Sequence, residues 1–415
     1  MESEEINNHV KFSQNIKYVK KNLLIVSNSF PNQDNTFVGN IFVKEQIKYL
    51  KQYFDNVYVV SPVAYGMEHF RSTKHCDYQF DNVKVFFPKY INNPLFWNYG
   101  RALWVDLEAR AIISLIEKEH LHFDLIHAHF TWPSGAVAVE LKQKYSVPVI
   151  ITEHTSDTFT NAIETRDKIF INTWSKADKI IRVKGSDVAA FGRVHIPLQK
   201  VIYIPNGYDS NIFHVIDRQK CREVLHLPLD KKLILNVGNL YDEVKGHKYL
   251  IEAISQIVTK RKDILCVIIG AGKLRTSLEG QIRSLRLEDA IILAGGKPHD
   301  EIPLWMNACD LFVLPSLNEG NPTVMFESLG CGKPFVGTKV GGVPEIITSD
   351  MYGLLVEPAD SKDLAEKILL ALDEQWNREK ILVYAERFTW ENISKEILTL
   401  YKEIGVLTER DLENG

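Results

Sequence analysis

Two successive series of short apolar runs, each run followed by a segment of helical periodicity, constrain this chain more than any other feature. The first run, residues 22–27 (NLLIVS), is followed by a loop, 28–40, and then by IFVKEQIKYLKQYF, where Val43, Ile47, Leu50 and Phe54 recur at helical spacing among lysines and glutamines. A second run at 56–61 closes the unit. Strand, crossover helix and parallel strand within about 40 residues is how a doubly wound sheet begins. Continued alternation predicts strands at 83–87, 123–127, 148–152, 179–183 and 201–205, with helices at 103–117, 135–144 and near 166–175. The series then restarts. Strands are expected at 233–237, 265–269, 291–293, 311–314 and 353–356, and helices at 247–258, beyond 272, and at 300–308, 360–372 and 388–404. A chain of 415 residues is too long for one ordinary core. The expectation is an α/β molecule of two facing Rossmann-like domains: a polar tail 1–20, a first domain 21–205, a second domain 206–387 and a terminal helix 388–415.

Composition narrows the class. With 45% hydrophobic residues, 25% charged residues and a net charge of −4, the chain has the make-up of a soluble globular protein and lacks the basic excess of a nucleic-acid binder. No run approaches 18 apolar residues and no apolar segment follows the N-terminus, so neither a membrane span nor a secretory signal is expected. Cys76, Cys221, Cys266, Cys309 and Cys331 are odd in number and lack metal-ligand spacing, which suits reduced thiols in a cytoplasmic protein.

The chemistry concentrates in residues 309–347, CDLFVLPSLNEGNPTVMFESLGCGKPFVGTKVGGVPEII. A buried strand, 311–314, breaks at Pro315 into a polar loop that restarts as a helix, with Pro322 suited to its first turn. A helix N-terminus at the end of a strand presents unpaired N–H groups and a positive dipole end, and so suits phosphate. Glu319 stands before that helix and Glu327 inside it. Neither carboxylate suits the phosphate itself, but each can accept from vicinal hydroxyls, one on a sugar and one on a ribose at either side of a diphosphate.

The two glutamates, with Gly320-Asn321-Pro322-Thr323 between them and Gly-Gly-Val-Pro-Glu after, resemble the nucleotide-sugar signature of retaining glycosyltransferases of the GT-B fold, glycosyltransferase family 4 in particular. Pro205-Asn206-Gly207-Tyr208-Asp209 resembles that family's interdomain segment, and Phe388-Thr389-Trp390-Glu391 resembles the start of the helix that crosses back to the first domain. The resemblance implies that Glu327 holds the ribose diol, Glu319 the transferred sugar, and Lys245 with the N–H groups of the stretch from Gly320 to Val324 the leaving phosphates. It also implies that Gly238 lets the backbone approach the donor, that Lys297-Pro298 borders the base, that the loop bearing Gly39 closes over the phosphates, and that His154 is aimed at the transferred sugar. One departure stands out: Asn239 occupies the position where relatives carry an arginine that clamps the diphosphate. Lys273 and Arg275 are the nearby cations able to replace it.

Three other patterns carry less. Gly270-Ala271-Gly272 lacks the third glycine of a dinucleotide fingerprint, which disfavours a dehydrogenase, and Gly332-Lys333 is followed by Pro334 and lacks the upstream glycine of a P-loop. His127 and His129 share a strand face, but two ligands are too few for a metal, so structural histidines are expected. No Asp-x-Asp motif appears, in keeping with the metal independence usual in GT-B enzymes. The expected activity is therefore a hexosyltransferase reaction from a UDP- or GDP-sugar to a hydroxyl acceptor, with no cofactor and no nucleic acid. The alternatives are an epimerase on the same fold and a non-catalytic sugar-nucleotide binder, for which Asn239 argues. The aromatic-rich segment 86–104, with Lys89 and Arg101, is either a core helix with its loop or a site of peripheral membrane docking with a lipid-linked acceptor.

Overall fold

The computed structural model describes residues 21–413 except 36, 38, 66–74 and 93–99. The tail expected at 1–20 and the middle of the aromatic segment 86–104 lie outside the described residues. The first lobe is built on β1 (Asn22–Val26), β2 (Asn56–Val60), β3 (Val63–Ala64), β4 (Tyr78–Phe80), β5 (Val83–Phe86), β6 (Lys89–Tyr90), β7 (Leu125–His129), β8 (Val149–Glu153), β9 (Lys179–Arg182) and β10 (Val201–Tyr203). Its main sheet has the order β10-β9-β8-β7-β1-β2-β5-β4, with β3 and β6 forming a separate pair. All the neighbours in the main sheet are parallel except β4 and β5. The second lobe holds β11 (Lys232–Val237), β12 (Ile264–Ile269), β13 (Ile291–Gly295), β14 (Leu311–Leu314), β15 (Phe335–Thr338) and β16 (Gly353–Val356) in the parallel order β13-β12-β11-β14-β15-β16.

The strands are continuous apolar runs because helices cover both sheet faces, and the alternate side chains of one strand enter different cores. Leu24 and Val26 of β1 belong to one cluster with Ile126 and Ile151, whereas Leu23 and Ile25 belong to another with Val43, Ile47, Ile393 and Ile397. The last two lie on helix Trp390–Glu403, which thus buries its apolar side in the first lobe although it follows the second in sequence. The two chain crossings between lobes run side by side, with Tyr208 N–H donating to Phe388 O and Trp390 N–H to Tyr208 O.

Several elements differ from the sequence expectation. The strand anticipated at 123–127 is shifted to β7, because Phe123 leaves the sheet to pack on Tyr145 while Ile25 pairs in register with His127. Both His127 and His129 therefore lie inside the strand, fully buried. The helix anticipated near 166–175 is Lys168–Lys176, started by the Asp167 side chain, which accepts from the N–H groups of Ile169 and Phe170. A second helix, Asp157–Glu164, precedes it.

Candidate active site

β14 delivers the chain to the interlobe gap. Its four residues are buried, and helix Thr323–Gly330 begins after Pro322, with no side chain capping its amino end. The turn between them is pinned on both sides. Gly246, with φ of +67°, lies where a Cβ would come within 1.9 Å of Pro315 O, so a glycine is needed for the loop after β11 to pass under the strand end. At Gly320 a Cβ would meet His154 O at 2.2 Å. This is backbone against backbone across the lobes, a contact that a side chain would pry apart. Asn321 strengthens it: its Oδ1 accepts from Asn206 N–H at 2.8 Å, and its carbonyl accepts from Asn206 Nδ2 at 2.7 Å.

Glu319, 8% exposed, accepts at Oε1 from Lys245 Nζ at 2.8 Å and from Ser316 Oγ at 2.6 Å. Lys245 ends the 3-10 turn Glu243–Lys245, directly before helix His247–Lys260, and Gly238 lies against its stem. Glu327 projects from the first turns of helix Thr323–Gly330, buried, with His299 Nε2 3.8 Å from its Oε1. Glu319, Lys245, Gly320, Asn321, Pro322, Thr323, Val324 and Glu327 thus form one loop-and-helix unit, and His154 meets it from the first lobe.

His154 follows β8 and packs its ring against Phe42 and Phe130, at centroid separations of 4.8 and 5.0 Å. Its Nε2 is 3.1 Å from His129 Nδ1. Burial first, then the charge of Arg182, pulls its pKa down to about 3, so at neutral pH it is an uncharged imidazole able to donate or accept one proton. His127 is structural: Nδ1 lies 2.6 Å from the Tyr401 hydroxyl and Nε2 2.7 Å from Thr152 Oγ1. Among the described residues no group of three His, Cys, Asp or Glu side chains converges in a way that could hold a metal ion.

The remaining candidates make other contacts. The Lys297 ammonium is held by Glu301 at 3.2 Å and lies over the Trp305 ring, and Pro298 is exposed. Gly39 lies against the first lobe's own backbone, where a Cβ would meet Ser29 O at 1.9 Å. Asn239 is exposed, and Arg275 is engaged by Glu279 and Leu293 O. Sequence reasoning missed Ser316, His299 and Glu45. His299 directly follows Lys297-Pro298 and was within reach of that motif. Glu45 lies among the polar positions of its helix, and its neighbours Trp390 and His299 are distant in sequence, so no local pattern encodes its burial.

Residues 217–388 match the family described as glycosyl transferases group 1, and residues 39–211 match glycosyltransferase family 4. An uncharacterized glycosyltransferase of Methanocaldococcus jannaschii is 33% identical over 300 residues, covering 70% of this chain and 78% of that protein. The D-inositol 3-phosphate glycosyltransferase of Acidothermus cellulolyticus is 28% identical over 320 residues, covering 69% and 68%. Among solved structures, sucrose-phosphate synthase from Thermosynechococcus elongatus superposes with a TM-score of 0.76 at 22% identity, covering 93% of this chain and 99% of that one. Anabaena HepE in complex with UDP-glucose gives 0.71 at 21% identity, covering 92% and 100%. At such identities the structural likeness speaks for the fold, while the sequence matches speak for the lineage. The chain belongs to glycosyltransferase family 4, the glycosyl transferases group 1, and is a transferase of the GT-B fold in a family that draws on nucleotide-sugar donors.

Proposed function

We propose that this enzyme moves a sugar from a UDP- or GDP-sugar to a hydroxyl acceptor with retention of anomeric configuration. The observation that carries the reading is the pairing of Glu319 with Lys245 at the mouth of an uncapped helix, with Glu327 farther along that helix and the first lobe's His154 against the same turn. In the donor complex Lys245 and the N–H groups from Asn321 to Val324 take the diphosphate, which frees Glu319 for hydroxyls of the transferred sugar, and Glu327 takes the ribose diol. Lys297-Pro298 borders the base, and the Gly39 loop covers the phosphates. His154, uncharged, donates to the sugar or handles the acceptor proton. Catalysis is then mostly positioning and stabilisation of charge on an oxocarbenium-like sugar and a departing diphosphate, with attack on the face from which the phosphate leaves. Lysine and amides can carry the phosphate charge, so turnover should survive chelation of divalent cations.

A cavity of about 550 Å³, lined in part by Asn28, Phe37, Ser61, Tyr90, Trp104 and Trp132, lies at the ends of β1 and β2 and is the proposed acceptor entrance. Tyr65 and Ile91, both more than two-thirds exposed, stand near it and support docking of the first lobe on a membrane that presents a lipid-linked acceptor. No described helix is long and apolar enough to cross a membrane. The test is a thermal-shift screen of UDP-, GDP- and ADP-sugars, then turnover with the hit and NMR of the product anomer. An inverted product contradicts retention, and release of an altered sugar without acceptor would make the enzyme an epimerase. Failure to sediment with anionic liposomes removes the membrane part.

A further inference from the structure

The first lobe sends an acid of its own into the donor half of the gap. Glu45 lies on helix Ile41–Leu50 beside the core residues Val43 and Ile47 and is only 2% exposed. Its Oε2 accepts from the Trp390 indole at 3.3 Å, while Oε1 has no hydrogen-bond partner among the described residues and lies 3.4 Å from His299 Nδ1. At the other side of the ring His299 Nε2 faces Glu327 Oε1 at 3.8 Å, and Phe213 packs edge-on at 5.4 Å. One imidazole therefore has a carboxylate from a different lobe at each nitrogen. The other charges that face the cluster are Lys48 and Asp209, which pair with each other at 3.1 Å. Two buried carboxylates beside a bound diphosphate are costly unless a cation stands between them.

We infer that His299 is a positioning residue for the donor: as an imidazolium held between Glu45 and Glu327, it sets the Glu327 carboxylate for the nucleotide's ribose hydroxyls and ties that acid to the first lobe. The inference rests on the reading of Glu327 given above. Burial alone would lower the His299 pKa, but the nearby carboxyl groups of Glu327 and then Glu45 outweigh it and raise it. Glu45 is pushed up to about 7, by burial foremost, with the Glu327 charge adding to it and the His299 charge opposing it. Both groups hold their protons more tightly here than in free solution. Below about 7 Glu45 is therefore largely protonated and faces the imidazolium as a neutral acid, and as pH rises through about 7 it ionises. The cluster then gains a negative charge beside the diphosphate, and a further rise in pH, which takes the proton from His299, adds to it.

The test is calorimetric titration of UDP and GDP into the full chain across neutral to alkaline pH. Wild-type affinity for the nucleotide that binds should fall about tenfold over that range, the effect of one unit of linked shift. His299→Gln should bind weakly already at neutral pH, and His299→Lys, which keeps a cation, should hold its affinity to the alkaline end. Glu45→Gln should flatten the alkaline decline, and it decides the matter if His299→Gln fails to fold in a thermal scan. Wild-type affinity at neutral pH in His299→Gln or, failing that, a wild-type slope in Glu45→Gln overturns the inference while leaving the donor reading standing. Wild type that binds neither nucleotide overturns both.

Discussion

At the scale of single residues the donor side has one weak point, Asn239. It is exposed beside Gly238, and its Oδ1 makes only a long contact, 3.4 Å, with the Tyr241 N–H. On the proposed donor reading an arginine here would reach toward the diphosphate, and the exposed Asn239 leaves little to displace. Asn239→Arg should tighten nucleoside-diphosphate binding by the worth of one charge-assisted contact, about 1.5–3 kcal/mol. Unchanged affinity in a titration would mean that another cation already fills that role. Glu319, Glu327 and Lys245 were legible in the sequence because each belongs to a local pattern of turn, helix start and charge. His299 and Glu45 were not, since what makes them notable is a partner far away in the chain. The Lys297 side chain shows the converse: a cation inside a recognisable motif can still be satisfied by the start of the following helix, through Glu301 and Trp305.

At the scale of elements, β7 and β8 carry a stack of imidazoles. His127 and His154 have pKa values brought down to about 3, and His129 lies well below its ordinary value, in each case chiefly through burial. These rings are neutral when folded and take up protons when unfolded. Their contribution to stability is therefore whole above about 6.5 and is lost progressively as pH falls from there toward about 3. Melting temperature should drop on acidification from neutral to about pH 5, and replacing His129 with Gln should blunt that drop. A melting temperature flat over this interval would contradict the account. The alternation of strands and helices was legible for most of both sheets because parallel strands covered on two faces are plain apolar runs. β15 was not anticipated: Lys333-Pro334 before it and Gly337 inside it interrupt the run, yet all four of its residues are buried between β14 and β16. Lys333 is satisfied there by the carbonyls of Asn307 and Cys309.

At the scale of the whole molecule, polar contacts join the two lobes beside the chain crossings. Glu345, on the short helix Val343–Ile346 of the second lobe, accepts from the N–H groups of Gly185 and Ser186 of the first at 2.7 and 2.9 Å. Asp209, just after the first crossing, accepts from Tyr49 at 2.8 Å and pairs with Lys48. Glu345→Ala should loosen this clamp, giving a larger radius of gyration in solution scattering at little cost in melting temperature. An unchanged scattering profile would leave the spacing to the crossings and to the remaining interlobe contacts, Asn206 with Asn321 among them. The central claim is that one acid of the helix after β14 grips the donor in the gap between the lobes. Calorimetric titration of the preferred nucleoside diphosphate into wild type and Glu327→Ala tests it most directly. The account predicts a loss of about 1.5–3 kcal/mol, roughly ten- to hundredfold in affinity, and equal affinity in the two proteins would contradict it.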